Sequence, residues 1–408
     1  MTATRRDFLK SGALGAATVA AGTGLGSLAT GAAAAPPVNV ALVATDGYIT
    51  LPGRAAEKDV YIFGFKQVPL NTAVGDLVAT YKNLAQHPAP ILDFTQEQDI
   101  NIEVTNLGLK VRPDLTDSHT LHWHGFRTPL AVFDGVPEVS IAVPQLRKFT
   151  YAYRPHDPGT YMYHCHFEDV EHVQMGMTGI VFVRSLENQK RAYNSGLAGL
   201  PNTNFDRHFP ILLNEIWTLM HDNDENIQET IHTDYNPDYF TLNGRVYPQT
   251  IEPNNETTGY TPLPELDSQP ISSLVQVNAG DRALLRLANL GYQQHAMQLP
   301  GIPMRVVGQD ANLLKSYTGG ADLSYMTDTI YMGPGEARDV IFVAPPFSAS
   351  NESGTDSKGT YNRYLFRNHD ARKLANPGGA GLGGMATEVR VYPGGTLGTQ
   401  TKAGQTYV

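Results

Sequence analysis

Seven of the thirteen histidines and the only cysteine fall between His119 and His172, in a spacing that leaves this stretch little choice of backbone. His122-Trp123-His124 and His164-Cys165-His166 both set histidines two residues apart. On an extended strand such residues share a face, and the residue between them points the other way. His122 and His124 therefore share one face, as do His164 and His166, while Cys165 turns to the opposite side.

The rest of the chain agrees with an all-β architecture. Asp99-Ile100-Asn101-Ile102-Glu103-Val104-Thr105-Asn106 alternates apolar and polar residues as a half-buried strand does. Phe149-Thr150-Tyr151-Ala152-Tyr153 and Gly179-Ile180-Val181-Phe182-Val183 read as further strands. The 39 glycines and 27 prolines supply turns, and few stretches keep a helical period. With 408 residues the chain is too long for one small sandwich and long enough for two domains with sizeable cores. A first domain is expected over residues 36–187, a linker over 188–207, a second domain over 208–395 and a polar tail over 396–408. In the second domain the run ending at Leu242 meets Asn243-Gly244, a strong hairpin signal, and Val340-Ile341-Phe342-Val343 and Val389-Arg390-Val391-Tyr392 are later strands. Val104-Thr105-Asn106-Leu107-Gly108 is echoed by Leu287-Ala288-Asn289-Leu290-Gly291, and Gly159-Thr160-Tyr161 by Gly359-Thr360-Tyr361, so two copies of one β-sandwich are expected.

A lone cysteine cannot close an internal disulfide, so Cys165 is a free thiol, an intermolecular link or a ligand. Two histidines, a cysteine and a weak axial methionine make a blue electron-transfer copper site. His119, Cys165, His172 and Met177 supply that set, with Met175 as the alternative axial residue. Because Cys165 and its neighbours face opposite ways, one strand can serve a thiolate-bound metal on one side and an imidazole-bound metal on the other. Zinc also takes thiolate and imidazole, but the trailing methionine and the paired histidines favour copper.

His119-x-x-His122-x-His124-Gly125 and His164-Cys165-His166 through His172 to Met177 resemble the signatures of the multicopper oxidases. Phe240-Thr241-Leu242-Asn243-Gly244-Arg245 and Gly333-Pro334-Gly335-Glu336 extend the likeness into the second half. The resemblance implies cupredoxin-like Greek-key sandwiches, a type 1 copper, and an inner cluster that reduces dioxygen to water. It implies that His122 serves a type 2 copper and that His124, His164 and His166 serve a type 3 pair. Asp134, in Asp134-Gly135-Val136-Pro137, matches an acidic residue that aids proton delivery, with Asp169 as the weaker alternative. The implied electron donor is a phenol, an aromatic amine, a metal ion or an electron-carrier protein.

The second half departs from the pattern. Aligned under the first motif, His295 falls at the type 1 histidine, but Gln298 and Pro300 fall where inner ligands belong. Arg367-Asn368-His369 aligned under His164-Cys165-His166 keeps only its last histidine, and Asn368 leaves no second blue copper. His369 is the expected inner ligand from this half. A ligand-poor second domain also resembles the copper nitrite reductases, whose mononuclear type 2 copper would match His124, His164 and His369, although their catalytic Asp and His fall here on His122 and Pro300. A copper protein with electron transfer alone is the remaining alternative. In two-domain members a neighbouring subunit completes the site, which implies a homotrimer.

Arg5-Arg6-Asp7-Phe8-Leu9-Lys10, followed by an Ala/Gly-rich stretch over residues 11–35, resembles a twin-arginine export signal. A periplasmic or extracellular location is expected, with no membrane span after processing. The net charge of -10 argues against a nucleic-acid partner.

Overall fold

Period-two alternation with frequent turns yields strands throughout. The computed structural model describes residues 36–54, 59–197, 199–317 and 320–408. Residues 1–35, where the export signal is expected, lie outside them. Among the described residues the first sandwich contains β1 (Val38–Ile49), β2 (Val60–Val68), β3 (Leu92–Thr95), β4 (Ile100–Asn106), β5 (His122–His124), β6 (Lys148–Tyr153), β7 (Gly159–His164) and β8 (Thr178–Arg184). They form two sheets, ordered β2-β1-β4-β6 and β3-β8-β7-β5. Each sheet holds one parallel pair, β1 with β4 and β3 with β8, and the other neighbours run antiparallel. The inner faces enclose Leu42, Phe63, Val104, Trp123, Tyr151 and Val181, and Cys165, Met175 and Met177 belong to the same core.

The second sandwich repeats the plan with longer sheets. Its strands are β9 (Arg207–Ile216), β10 (Tyr239–Leu242), β11 (Val275–Asn278), β12 (Arg282–Asn289), β13 (His295–Gln298), β14 (Met304–Gln309), β15 (Asn312–Leu313), β16 (Tyr325–Thr327), β17 (Thr329–Met332), β18 (Ala337–Val343), β19 (Ser353–Asp356), β20 (Gly359–Asn368) and β21 (Ala386–Tyr392). One sheet runs β10-β9-β12-β18-β14-β15 with β16 beside β14, and the other β11-β21-β20-β13-β17 with β19 beside β20. Again each has one parallel pair, β9 with β12 and β11 with β21.

The Asn-Leu-Gly echo is a true structural repeat. Asn106 lies opposite Ala44, and Asn289 opposite Leu213. In both copies the asparagine side chain accepts from the glycine N–H two residues on, at 2.8 Å for Gly108 and 3.0 Å for Gly291. The Gly-Thr-Tyr echo is out of step. Cys165 N–H donates to Met177 and Asn368 N–H to Met385, and counting back from those bonds sets Gly159 against Asn362 rather than Gly359. The longer β20 places its Gly-Thr-Tyr in the hairpin with β19 instead.

The sandwiches are joined by an apolar contact that includes Met162, Ile180, Phe182, Leu212, Leu290 and Ala337. Beside it, Arg286 pairs with Asp339 at 3.4 Å with both side chains buried, and its guanidinium stacks over Phe182 at 4.5 Å. Asp339 also accepts from Thr160 Oγ1 at 2.6 Å and Tyr193 OH at 2.5 Å, so residues of the first sandwich, the connecting segment and the second meet at one carboxylate. Residues 396–408 pack against the second sandwich, where Gln400 bonds the His208 backbone and Tyr407 N–H donates to Gln276. Among the described residues no helix is long and apolar enough to cross a membrane.

Candidate metal centre

β7 and the two residues that follow it separate two donor sets. On its core side Cys165 is fully buried, and His119 and His172 turn the same ring atom toward its sulfur. His119 Nδ1 lies 3.8 Å and His172 Nδ1 3.3 Å from Sγ, and the Thr120 N–H points at the sulfur from 3.4 Å. The donor atoms of the three residues lie within 4.8 Å of one another. Met177 closes the loop, because its carbonyl accepts from Cys165 N–H and its N–H donates to the His172 carbonyl. Met175, also buried, directs its carbonyl to Phe63 instead. His172 sits on the short helix Asp169–Gln174, and Phe63 and Phe167 pack on its ring.

The charge balance of this pocket suits a cation. Burial pushes the His119 imidazole well below its ordinary range, so it stays neutral. Burial acts on His172 in the same sense, but the Cys165 sulfur and the Asp117 carboxylate outweigh it and carry the ring up to about 10. Positive charge is thus stabilised beside the sulfur, where two imidazoles and a thiolate converge on the donor chemistry of a copper or zinc ligand set. Outward from His172, its Nε2 faces Asp117 Oδ2 at 3.7 Å, and donor atoms of Asp117, Glu168, Glu171 and His172 lie within 4.8 Å of one another. The sequence offered no signal for this acidic edge, because Asp117 arrives from a separate loop.

On the other face, β5 pairs with β7 so that His122 lies opposite His164. Ring centroids of His122 lie 5.8, 5.2 and 5.1 Å from those of His124, His164 and His166, and His164 lies 5.6 Å from His124 and 5.5 Å from His166. Backbone carbonyls orient two of the rings. His122 Nδ1 donates to Asp134 O at 2.6 Å and His164 Nδ1 to Cys165 O at 2.7 Å, which leaves each Nε2 free for a metal. His124 is turned the other way. Its Nε2 faces Gly335 across the sandwich contact, where an added Cβ would lie 3.2 Å away, and its Nδ1 lies 3.4 Å from His164 Nε2. Burial pushes His122, His124 and His164 down, the last to about 3, so these rings are neutral donors near neutral pH.

Asp134 is positioned by its neighbour. Gly135 has φ +85°, and a Cβ there would lie 2.3 Å from Leu121 O and 2.7 Å from His122 Cα, so only glycine lets the turn approach the histidine strand. The Asp134 carboxylate lies 3.8 Å from His122 Nδ1 and accepts from Thr128 Oγ1 at 3.3 Å. Asp169 is half exposed and 3.9 Å from His166 Nδ1. His369 is not gathered with these four rings among the described residues. It is exposed on the second sandwich, with Nδ1 3.4 Å from Gln298 Oε1.

Residues 75–188, which include both donor sets, match the family model described as multicopper oxidase. Over 304 residues the chain is 26% identical to laccase-15 of Oryza sativa subsp. japonica, covering 72% of this chain and 44% of the relative. The chain therefore spans less than half the length of that laccase. Among solved structures it is similar to a blue copper oxidase from Nitrosomonas europaea, with TM-score 0.59, 22% identity, and 87% and 86% of the two chains covered. It is also similar to the multicopper oxidase mgLAC, with TM-score 0.61, 22% identity, and 90% and 89% covered. Those two likenesses establish the cupredoxin-type fold.

Proposed function

We propose that this chain, whose residues 75–188 match the multicopper oxidase family model, is a copper-dependent, laccase-like oxidoreductase that takes single electrons from a reducing substrate and delivers them to dioxygen. The observation that carries the reading is one strand end serving two donor sets on opposite faces. His119, Cys165, His172 and Met177 form the type 1 set. His122 serves the type 2 position, and His124, His164 and His166 the type 3 pair. Copper supplies the one-electron redox chemistry at both sites when bound. The protein orients His122 and His164 through the carbonyls of Asp134 and Cys165. Phe63 and Phe167 shield His172 from water, and the Asp134 carboxylate stands 3.8 Å from the inner His122 ring, within reach for proton delivery.

The second sandwich supports a further proposal, that the active form is a homotrimer. Its only histidine at the inner positions, His369, is exposed, and the inner rings His122, His124 and His166 are only partly covered. Exposed apolar side chains occur on both sandwiches, Leu130, Val139 and Ile141 on the first and Tyr325, Met326 and Tyr331 on the second. Exposed apolar residues on both sandwiches suit a heterologous contact that closes into a ring. A monomer by sedimentation that keeps its full copper and activity would defeat the trimer. Export through the twin-arginine route is proposed from Arg5-Arg6 and the Ala/Gly-rich stretch after it.

The absence of a second set of four histidines favours one alternative, a nitrite reductase-like enzyme with a mononuclear inner copper held by His124, His164 and the neighbour's copy of His369. Copper per chain in the reconstituted protein separates the two. About four supports the oxidase, and about two, with nitrite turnover in place of oxygen uptake, supports the reductase.

A further inference from the structure

The second sandwich reproduces the type 1 pocket position by position. Cys165 N–H donates to the Met177 carbonyl at 3.1 Å, and Met177 directly precedes β8. Asn368 N–H donates to the Met385 carbonyl at 2.9 Å, and Met385 directly precedes β21. Gln298 lies opposite Arg367 as His122 lies opposite His164. Carried along both strands, that register sets His295 in the place of His119 and Asn368 in the place of Cys165. Between Asn368 and Met385 the short turn of helix Ala371–Lys373 stands where helix Asp169–Gln174 stands in the first copy, and Lys373 takes the place of His172.

The side chains keep the convergence and change the cation. His295 turns Nδ1 inward, as His119 does, and meets Lys373 Nζ at 3.2 Å and Asn368 Nδ2 at 3.3 Å. Asn368 Nδ2 lies 3.3 Å from Met385 Sδ, and Lys373 Nζ donates to the Gln294 carbonyl at 2.6 Å. On the far edge of the ring, His295 Nε2 lies 3.0 Å from Glu215 Oε2, with both side chains completely enclosed. A carboxylate at that depth needs a nearby positive charge. With Nε2–H donated to Glu215, the Nδ1 lone pair is left to accept from the ammonium.

We propose that the second sandwich holds a closed counterpart of the type 1 pocket in which the Lys373 ammonium is the resident cation, and that this tethered charge is what keeps a metal ion out. The pocket becomes a copper site when the ammonium is removed and a thiolate is restored. The inference uses the geometry of the first pocket and not its occupancy, so it stands apart from the oxidase reading.

The experiment is copper titration of the full chain carrying Cys165→Ser, which removes the first thiolate, followed by absorption at the sulfur-to-copper charge-transfer band and metal analysis. Adding Asn368→Cys and Lys373→His together is expected to bring back one thiolate-copper band and one more copper per chain. Adding Asn368→Cys alone, with Lys373 kept, is expected to bind copper at least about tenfold more weakly, because two cations compete for one place. Equal binding with and without the lysine would overturn the proposal, and so would no added copper in a folded triple variant. A measurement on the unaltered protein guards against misfolding. Lys373 should resist an amine-acylating reagent until the chain unfolds, whereas the exposed Lys402 reacts at once. Prompt labelling of Lys373 in the folded chain would also sink the idea.

Discussion

The carbonyl oxygen of Asp134, rather than its carboxylate, aims the His122 ring. The residue therefore carries two separable functions, one in its backbone and one in its side chain. Asp134→Asn keeps the carbonyl and nearly the same shape, so copper content should stay that of the parent. Loss of the ionisable group should slow oxygen reduction at least about tenfold. Steady-state oxygen uptake across pH, with metal analysis of the same sample, checks this. A fall in copper that accounts for the whole rate loss would assign Asp134 to ligand placement alone. His172 illustrates a second residue-scale point. The ring is wholly buried, but Asp117, Glu168 and Glu171 gather beside its Nε2 and Glu168 is exposed, so an electron donor docking over this edge meets negative charge. Cationic donors should be oxidised faster than anionic donors of equal potential, and rising salt should narrow the gap. A rate order indifferent to donor charge at low salt would contradict it.

β7 is the element on which the site depends, since its end residues face two ways and its start is anchored in the second sandwich. Thr160 on β7 donates to Asp339, which is paired with the wholly buried Arg286. Removing the carboxylate leaves that guanidinium uncompensated, and losses of this kind run to about 3–5 kcal/mol. Asp339→Ala should therefore lower the denaturant midpoint strongly, although the residue lies outside both donor sets. A shift under about 1 kcal/mol would mean that water or a neighbour replaces the carboxylate.

Across the whole molecule, two buried histidines outside the donor sets make the contact between the sandwiches sensitive to acid. His221 Nδ1 donates to the Tyr61 carbonyl at 2.6 Å across that contact, and the His87 ring Nδ1 lies 3.3 Å from the Gly176 carbonyl while its backbone N–H donates to Ser268. Burial pushes both imidazoles down to about 4. Folded values below the ordinary 6.5 mean that the unfolded chain binds protons first as the pH falls. Their contribution is complete above pH 6.5 and is lost as the pH drops through 4, up to about 3 kcal/mol each. Chemical unfolding at neutral pH and near about pH 4.5 should show the decline, and His221→Asn should flatten it. A midpoint unchanged over that range would exclude these histidines as acid sensors.

The sequence by itself determined the strand character of His122–His124 and of the run ending at His164, the opposed directions of Cys165 and its neighbours, and the doubling of the sandwich. The doubling follows from the Asn-Leu-Gly echo, and the first two follow from spacing along one strand, where a period of two assigns directions without reference to any distant residue. The cluster of His119, Cys165 and His172 was legible for the same reason, because two of its three members lie within eight residues. Tertiary structure alone decided the rest. Gly335 reaches His124 across the sandwich contact, Asp117 comes up behind His172, and Lys373 occupies a cation's place beside His295. The Gly-Thr-Tyr echo fell three residues out of register because matching letters do not fix where a hairpin begins. Spacing states which way a side chain points. Which groups then meet is set by the burial that packs strands far apart in sequence against one another.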